Sequence, residues 1–506
     1  MEQRQNGRAA DRVANRVVVI GAGIGGLCAA VRLAHAGMDV TVVEAWKRPG
    51  GKMRVIDSVA GPVDAGPTVL TMRSVFDAVF AAAGARLEDH LTLIPQPILA
   101  RHWWPDGSTL DLHADAQACA DAVGRFAGKR SYNQFRTFQA QTARLYAAFD
   151  EPMMQAARPR LGAIAAAALR SPRIWPDLIP GMTLARSLTR QFSDPRLRQL
   201  FGRYATYVGG SPYRSPAVLG LVWQAEARGV WAVKGGMHQL ALALEALARK
   251  GGAQFRYGVA VDRIVPQWGR VADVGLADGT TLPADHVVFN GDPAALTAGL
   301  LGGAARSALP LSASQPRSLA AWVWAFAAQP SGPEMIHHNV FFGSDPRREF
   351  PPISAGRMPE DPTLYICAQD RAAGTPAPGP ERFEIIMNAP STATLVSQPH
   401  EDQTCRDLTF QRLSSFGLTF DPQPEVTSLT QPSGFAKMFP ASMGALYGRS
   451  PEAALAALQR PVARTALKGL YIAGGGAHPG AGVPMAALSG RHAAEAILQD
   501  RALPST

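Results

Sequence analysis

The residues best suited to chemistry are glycines. Gly21, Gly23 and Gly26 in "VVVIGAGIGGLCAA" fit G-x-G-x-x-G between a β-branched run and a helix-forming stretch, with Gly25 inside the same turn. This spacing allows a tight turn, a close backbone approach to a pyrophosphate and close helix–strand packing. The free N–H groups at the helix start then face phosphate charge. Glu44, followed by Ala45 at the end of "DVTVVEA", is placed to accept from ribose hydroxyls. A carboxylate there disfavours a 2′-phosphate, although Lys47 and Arg48 leave NADP open.

"RPGGKM" sets Arg48, Gly50, Gly51, Lys52 and Met53 directly after the second strand. The glycine doublet lets the chain fold back over a pyrophosphate and lends it basic cover, a feature NAD domains do not usually carry, so FAD is the expected cofactor. "VDAGPTVLT" supplies Gly66, Pro67 and Thr68 in a rigid turn suited to lining a flavin ring. A second glycine-rich loop, "AHPGAGVPMAALSGRHAAEAI" from Ala477 to Ile497, leads into a helix far down the chain. Other chemistries find little support. There is no GxSxG elbow, and no cysteine–histidine nucleophile pair is evident. Asp150 and Glu151 are adjacent, so on a helix they share no face. Cys28, Cys119, Cys367 and Cys405 lie far apart without zinc-type spacing and read as reduced thiols, with no metal expected.

The elements that must hold these residues follow from the pattern. Composition is that of a folded protein, 47% hydrophobic and 18% charged, with length for two or three domains. Residues 16–20 and "GLYIAGGG" read as buried parallel strands, and Asp106-Gly107 and Asp278-Gly279 as hairpin turns. Residues 115–225 read as helices broken by prolines, residues 310–400 as a proline-rich mixed segment, and "AAGTPAPGPERF" as a surface loop. No apolar run approaches the roughly 18 residues of a membrane span, and the first fifteen residues carry no export signal, so a cytoplasmic protein is expected. The net charge of +10 is concentrated: nine arginines lie between Arg158 and Arg203 against only Asp177 and Asp194, among apolar residues. That mixture suits an anionic membrane surface or, equally, an ordinary basic helical domain, and no nucleic-acid motif accompanies it.

These motifs, with "YVGGSPY" and "GVWAVKGGM", resemble the carotenoid desaturases of the phytoene desaturase type, a branch of the FAD-dependent amine oxidase superfamily, over essentially the whole chain. "KMRVIDSVAGPVDAGPTVLTMRSVFDAVF" and "ARHWWPDGSTLDLHAD" resemble, more narrowly, the 1-hydroxycarotenoid 3,4-desaturases. The resemblance implies an α/β fold: a discontinuous Rossmann-type FAD domain (1–75, 230–300 and 455–506), an inserted α+β substrate domain (76–114 and 301–454) and a helical membrane-associating region (115–229). It implies that the C-terminal segment returns to the flavin, bringing Gly474, Gly475, Gly482, Val483 and Pro484, and that Val261 presents backbone atoms to the adenine. Gly475 stands where many amine oxidases carry an acidic residue, so only backbone contact is expected there.

The implied activity is C-3,4 dehydrogenation of a 1-hydroxycarotenoid such as 1-hydroxyneurosporene, by hydride transfer to flavin N5 with proton loss. The implied partners are a long apolar carotenoid, quinone or oxygen as electron acceptor, and the inner face of the cytoplasmic membrane, to which the protein attaches peripherally. Catalytic candidates are two. Arg170 matches an arginine of related desaturases, read either as a channel residue or as an arginine snorkelling at a membrane. His478 is either a proton carrier or a turn residue. Phytoene desaturation, flavin-dependent carotene isomerisation, amine or porphyrinogen oxidation, and a non-enzymatic prenyl-lipid escort role are the alternatives on this fold.

Overall fold

Arg16–Ile20 is the central strand of a five-stranded parallel sheet, as its uninterrupted β-branched run requires of a strand covered on both faces. A computed structural model describes residues 15–374, 379–395, 400–453 and 455–502. Residues 1–14, within the segment read for export signals, lie outside this range. The spatial order of the sheet is Leu470–Ile472, His286–Phe289, Arg16–Ile20, Asp39–Glu44 and Gln254–Tyr257, so five distant stretches of sequence build one surface. One side is covered by the helices Ile24–His35, His238–Lys250 and Val483–Ala502. The other is covered by the antiparallel strands Val261–Gln267, Arg270–Leu276 and Thr281–Pro283.

The first of these helices, here the fingerprint helix, ends where Gly37 adopts φ +79° and Met38 N–H returns to the Leu33 carbonyl at 3.0 Å, a C-terminal cap that glycine makes possible. The Val483–Ala502 helix, here the closing helix, crosses it at glycine. A Cβ on Gly490 would lie 2.2 Å from the Gly25 carbonyl oxygen.

The second layer is an eight-stranded sheet. Its order is Thr419–Asp421, Ala320–Ser331, Glu381–Ala389, Leu364–Ala368, His338–Phe341, Ile98–Trp103 and Thr109–His113, with Leu429–Thr430 also on Ala320–Ser331. The turn at Asp106-Gly107 joins its last two strands, with Asp106 Oδ1 accepting from Ser108 N–H at 2.9 Å. Residues 310–400 are therefore more regular than their prolines suggest. All of "LAAWVWAFAA" but its first residue lies in a twelve-residue strand that is apolar on both faces from Ala320 to Ala328, because both faces are covered. The loop expected at "AAGTPAPGPERF" is shorter than its text, since Glu381 already opens a strand; residues 375–378 lie outside the described range.

Residues 116–149 form a helix interrupted at Gly128 (φ +83°), capped by Asp115, which accepts from Ala118 N–H at 2.7 Å. Beyond it, Leu161–Arg170 contains no buried residue. Leu161 and Leu169 are each 67% exposed, and Trp175 and Ile179 are half-exposed. Among the described residues no helix is long and apolar enough to cross a membrane.

Candidate active site

The glycine turn after Arg16–Ile20 is packed with no room for side chains. A Cβ on Gly23 would meet Asn290 Nδ2 at 2.7 Å, one on Gly25 the Gly474 nitrogen at 2.5 Å, and one on Gly26 the Gly21 oxygen at 2.2 Å. The doublet of "RPGGKM" lies against the same turn: Gly50 N–H donates to the Ala22 carbonyl at 2.8 Å, and a Cβ on Gly51 would stand 3.2 Å from Gly23 Cα. A Cβ on Gly66 would run into the Lys52 carbonyl. Gly23 begins the fingerprint helix without any side-chain cap, so the helix start stays available to an anion.

Glu44 is buried at the end of Asp39–Glu44 and binds the turn itself. Its Oε2 accepts from Ala22 N–H at 2.7 Å and its Oε1 from Trp46 N–H at 3.0 Å, while burial raises its carboxyl above the ordinary range against those bonds. Ala45 is exposed beside it, Met53 is buried, and Arg48 is 59% exposed and pairs with Asp57 at 3.6 Å. Lys52 turns inward. Its Nζ donates to the Leu446 carbonyl at 2.6 Å and lies 5.4 Å from the Phe439 ring, and burial lowers its pKa to about 8. Arg317, paired with Asp292 at 2.5 Å, and Arg460, which donates to the Gly475 carbonyl at 2.9 Å, share this neighbourhood. Three cations thus face one carboxylate, a surplus that an anionic ligand would balance.

The C-terminal loop reaches this cradle. Gly474 N–H donates to Ser489 Oγ at 2.7 Å, and Ala473 N–H to the Phe289 carbonyl at 3.0 Å. Gly482 (φ +108°) has nothing within 4 Å of where a Cβ would stand, and Val483 and Pro484 start the closing helix directly after it. Val261 opens the Val261–Gln267 strand opposite Leu276, beside the segment where Val259 N–H donates to the Glu44 carbonyl at 3.3 Å. The structure therefore brings the first glycine loop, the doublet and the second glycine loop together. A flavin nucleotide fits these residues: an uncapped helix start, backbone too close for Cβ atoms, open space before Gly482, surplus positive charge and a buried Asn290 Oδ1 without a partner.

The two catalytic candidates are differently placed. Arg170 is exposed at the end of Leu161–Arg170. His478 is buried in the second glycine loop, but its Nε2 donates to the Ala156 carbonyl at 2.8 Å and its ring stacks on His492 with centroids 5.9 Å apart.

Other polar groups meet that the sequence keeps far apart. Asn290 donates from Nδ2 to the Gly21 carbonyl at 3.1 Å and so lies under the fingerprint turn; its position after the apolar "HVVF" strand was the available signal. Thr68 Oγ1 lies 2.7 Å from the Tyr365 hydroxyl, which lies 2.8 Å from His338 Nδ1. Arg203 stacks 5.5 Å from the Tyr365 ring and donates to the Tyr207 hydroxyl of "YVGGSPY" at 3.0 Å. His337, His338 and Cys367 also converge, with ligand-type atoms within 4.8 Å of one another, and burial holds both imidazoles neutral and the thiol protonated. Only the pairing of His338–Phe341 with Leu364–Ala368 brings Cys367 to the histidines, so spacing along the sequence gives no hint of it. A cavity of about 400 Å³ opens beside this group, lined by Thr68, Asp64, Met237, His337, Cys367 and Gln369 among others.

Residues 24–326 match the family described as flavin containing amine oxidoreductase, and the chain belongs to that family. It is a flavin-dependent oxidoreductase, and its relatives narrow the class. The hydroxyneurosporene desaturase of Cereibacter sphaeroides is 64% identical over 491 residues, covering 97% of this chain and 99% of that one. The hydroxyneurosporene desaturase of Rhodobacter capsulatus is 56% identical over 485 residues, covering 96% and 98%. Among solved structures, an oxidoreductase from Methanosarcina mazei superposes with TM-score 0.61 over 96% of this chain and 100% of that one; at 17% identity this is a likeness of fold alone.

Proposed function

We propose that this enzyme binds FAD and dehydrogenates the C-3,4 bond of a hydroxylated acyclic carotenoid, 1-hydroxyneurosporene being the model substrate. The observation that carries the reading is the 64% identity to a hydroxyneurosporene desaturase along virtually the full length of both chains. When bound, the flavin supplies the two-electron acceptor for hydride removal. The chain's own residues bind and orient. The two glycine loops and the Gly50–Gly51 doublet would hold the nucleotide, Val261 would lie toward its adenine, and the eight-stranded sheet would form the substrate half. Loss of hydride beside a polyene leaves a delocalised allylic cation, so the proton that follows needs only a weak acceptor. The Thr68–Tyr365–His338 chain offers one, ending on an imidazole that burial keeps neutral.

A C40 hydrocarbon does not travel through water, and the enzyme takes it from the inner face of the cytoplasmic membrane. Exposed Leu161, Leu169, Trp175 and Ile179, interleaved with exposed Arg158, Arg160, Arg170 and Arg173, support this attachment. Quinone or oxygen would serve as the final electron acceptor. The test is product analysis with FAD-loaded protein in liposomes, offering neurosporene, 1-hydroxyneurosporene and phytoene separately. Loss of two hydrogens with a red-shifted polyene spectrum is expected for the hydroxylated substrate. Turnover of phytoene instead would move the protein to another step of the same chemistry.

A further inference from the structure

The eight-stranded sheet has two unlike faces. Toward the Glu401–Ser414 helix, Trp322, Trp324, Phe326, Phe383 and Ile385 form one apolar cluster with Phe410, whereas Asn339, Arg101 and Asp111 continue the same face on the outer strands. On the opposite face His338, Cys367, Glu384 and Ala325 stand directly across from one another on four neighbouring strands and form a single row. His338 has Tyr365, and Cys367 lies 3.9 Å from His337 Nε2. Among the described residues Glu384 has no partner on either oxygen, and it is fully buried; His338 lacks one only at Nε2.

The charged groups beside it have partners of their own, although Arg54 Nε is itself without one among the described residues. Asp64 accepts from Met237 and His238 N–H, and Arg54 donates to Thr430 Oγ1 at 2.6 Å and rests on the Phe435 ring. Burial and the Asp64 charge hold the Glu384 carboxyl protonated against the weaker pull of Arg54, so it carries one donor and free acceptor capacity. The row's next member, Cys367, lines the 400 Å³ cavity together with Thr68. An unmet buried polar group is destabilising, and a ligand that satisfies it removes that cost.

We infer that Glu384 is the seat of the substrate's hydroxyl group, the residue that exchanges hydrogen bonds with a tertiary alcohol on an otherwise hydrocarbon chain and so fixes which end of the polyene meets the flavin. The inference rests on the substrate class proposed above. The match is chemical: the chain end of such a carotenoid bears one polar atom, and among the described residues Glu384, packed beside the buried Val63, Ala65 and Ala325 one strand from the cavity-lining Cys367, offers a carboxyl with no partner.

The test compares Glu384→Leu and Glu384→Gln with the unaltered FAD-loaded enzyme. The readouts are the ratio of kcat/KM for 1-hydroxyneurosporene over neurosporene and, in flavin-free protein, the binding of each carotenoid followed by its polyene absorption shift. Glu384→Leu should lower the preference for the hydroxylated carotenoid at least tenfold in both measurements, whereas Glu384→Gln, which still donates and accepts, retains most of it. Melting temperature checks folding, and Glu384→Met replaces the leucine variant if that one does not fold. An unchanged ratio in a folded Leu or Met variant overturns the inference. So does loss of flavin uptake with the carotenoid preference intact, which would assign the carboxyl to the cofactor. If the unaltered enzyme converts neither carotenoid, the proposed function fails, and the binding measurement still decides the role of Glu384.

Discussion

The crossing of the fingerprint and closing helices and the flank at residues 161–179 treat their surroundings in opposite ways. At the crossing there is no space for a methyl group: Gly25 and Gly26 stand under the glycine turn and Gly490 against the Gly25 carbonyl. Along Leu161–Arg170 no residue is buried, and large apolar side chains face outward between arginines. Zero tolerance suits a partner of one fixed shape, such as a nucleotide gripped by backbone. Loose apolar cover with positive charge suits a partner that has no fixed shape and can flow around side chains. Where a protein spends its steric precision therefore indicates what kind of object it meets.

The sharpest way to break this contrast is Gly490→Val. Its Cβ would stand 2.2 Å from the Gly25 oxygen and 3.0 Å from Cys28 Cβ, atoms of backbone and core that cannot turn aside. Overpacking of this kind costs about 1–3 kcal/mol or more, and the expected result is a lower melting temperature and loss of the bound flavin's visible absorbance on dialysis. If the variant keeps its flavin, the crossing is not as rigid as its geometry states.

On the opposite flank, replacing Arg158, Arg160, Arg170 and Arg173 together by glutamine should weaken binding to anionic liposomes by about 1 kcal/mol for each charge near the surface, more visibly at low salt. Melting temperature should stay put, since all four are exposed. Intact sedimentation with liposomes would remove the membrane reading of this flank.

The nucleotide half has an electrostatic counterpart to its tight packing. Because burial lowers the Lys52 pKa from 10.5 to about 8, the folded flavin-free protein holds fewer protons than the unfolded chain between those values. Its stability should therefore rise with pH across that window, by up to about 3 kcal/mol, and Lys52→Met should flatten the rise in a denaturant titration. The smallest effect belongs to Leu161→Ser, which should change folding stability by no more than about 0.5 kcal/mol. A larger loss would mean that the flank is packed after all.

The nucleotide half was legible in the sequence because its signals are local. A β-branched run, a glycine turn, a doublet after the second strand and a glycine cap at Gly37 each declare themselves within a dozen residues. The C-terminal return was legible only through resemblance, since nothing in "AHPGAGVPM" itself says that Gly474 will lie against Gly25. The substrate half was less readable for a physical reason. The Ala320–Ser331 strand is apolar at every position from Ala320 to Ala328 rather than alternating polar with apolar, because both faces are covered, so the usual period-two signal is absent. Glu384 and Cys367 look unremarkable one by one; only the register of adjacent strands sets them side by side.

The five-stranded sheet carries one more consequence, which concerns synthesis. One of its two edge strands is Leu470–Ile472, and the helix that covers Gly25 runs through Gly490. A ribosome must deliver both before the fingerprint helix can bury the face carrying Cys28 against its partner. Until then a nascent chain displays a nucleotide turn that cannot grip a nucleotide, together with exposed apolar surface that chaperones would hold. Loading with cofactor is thus a late event, and retained yellow colour reports that a given molecule has been made and folded through residue 490.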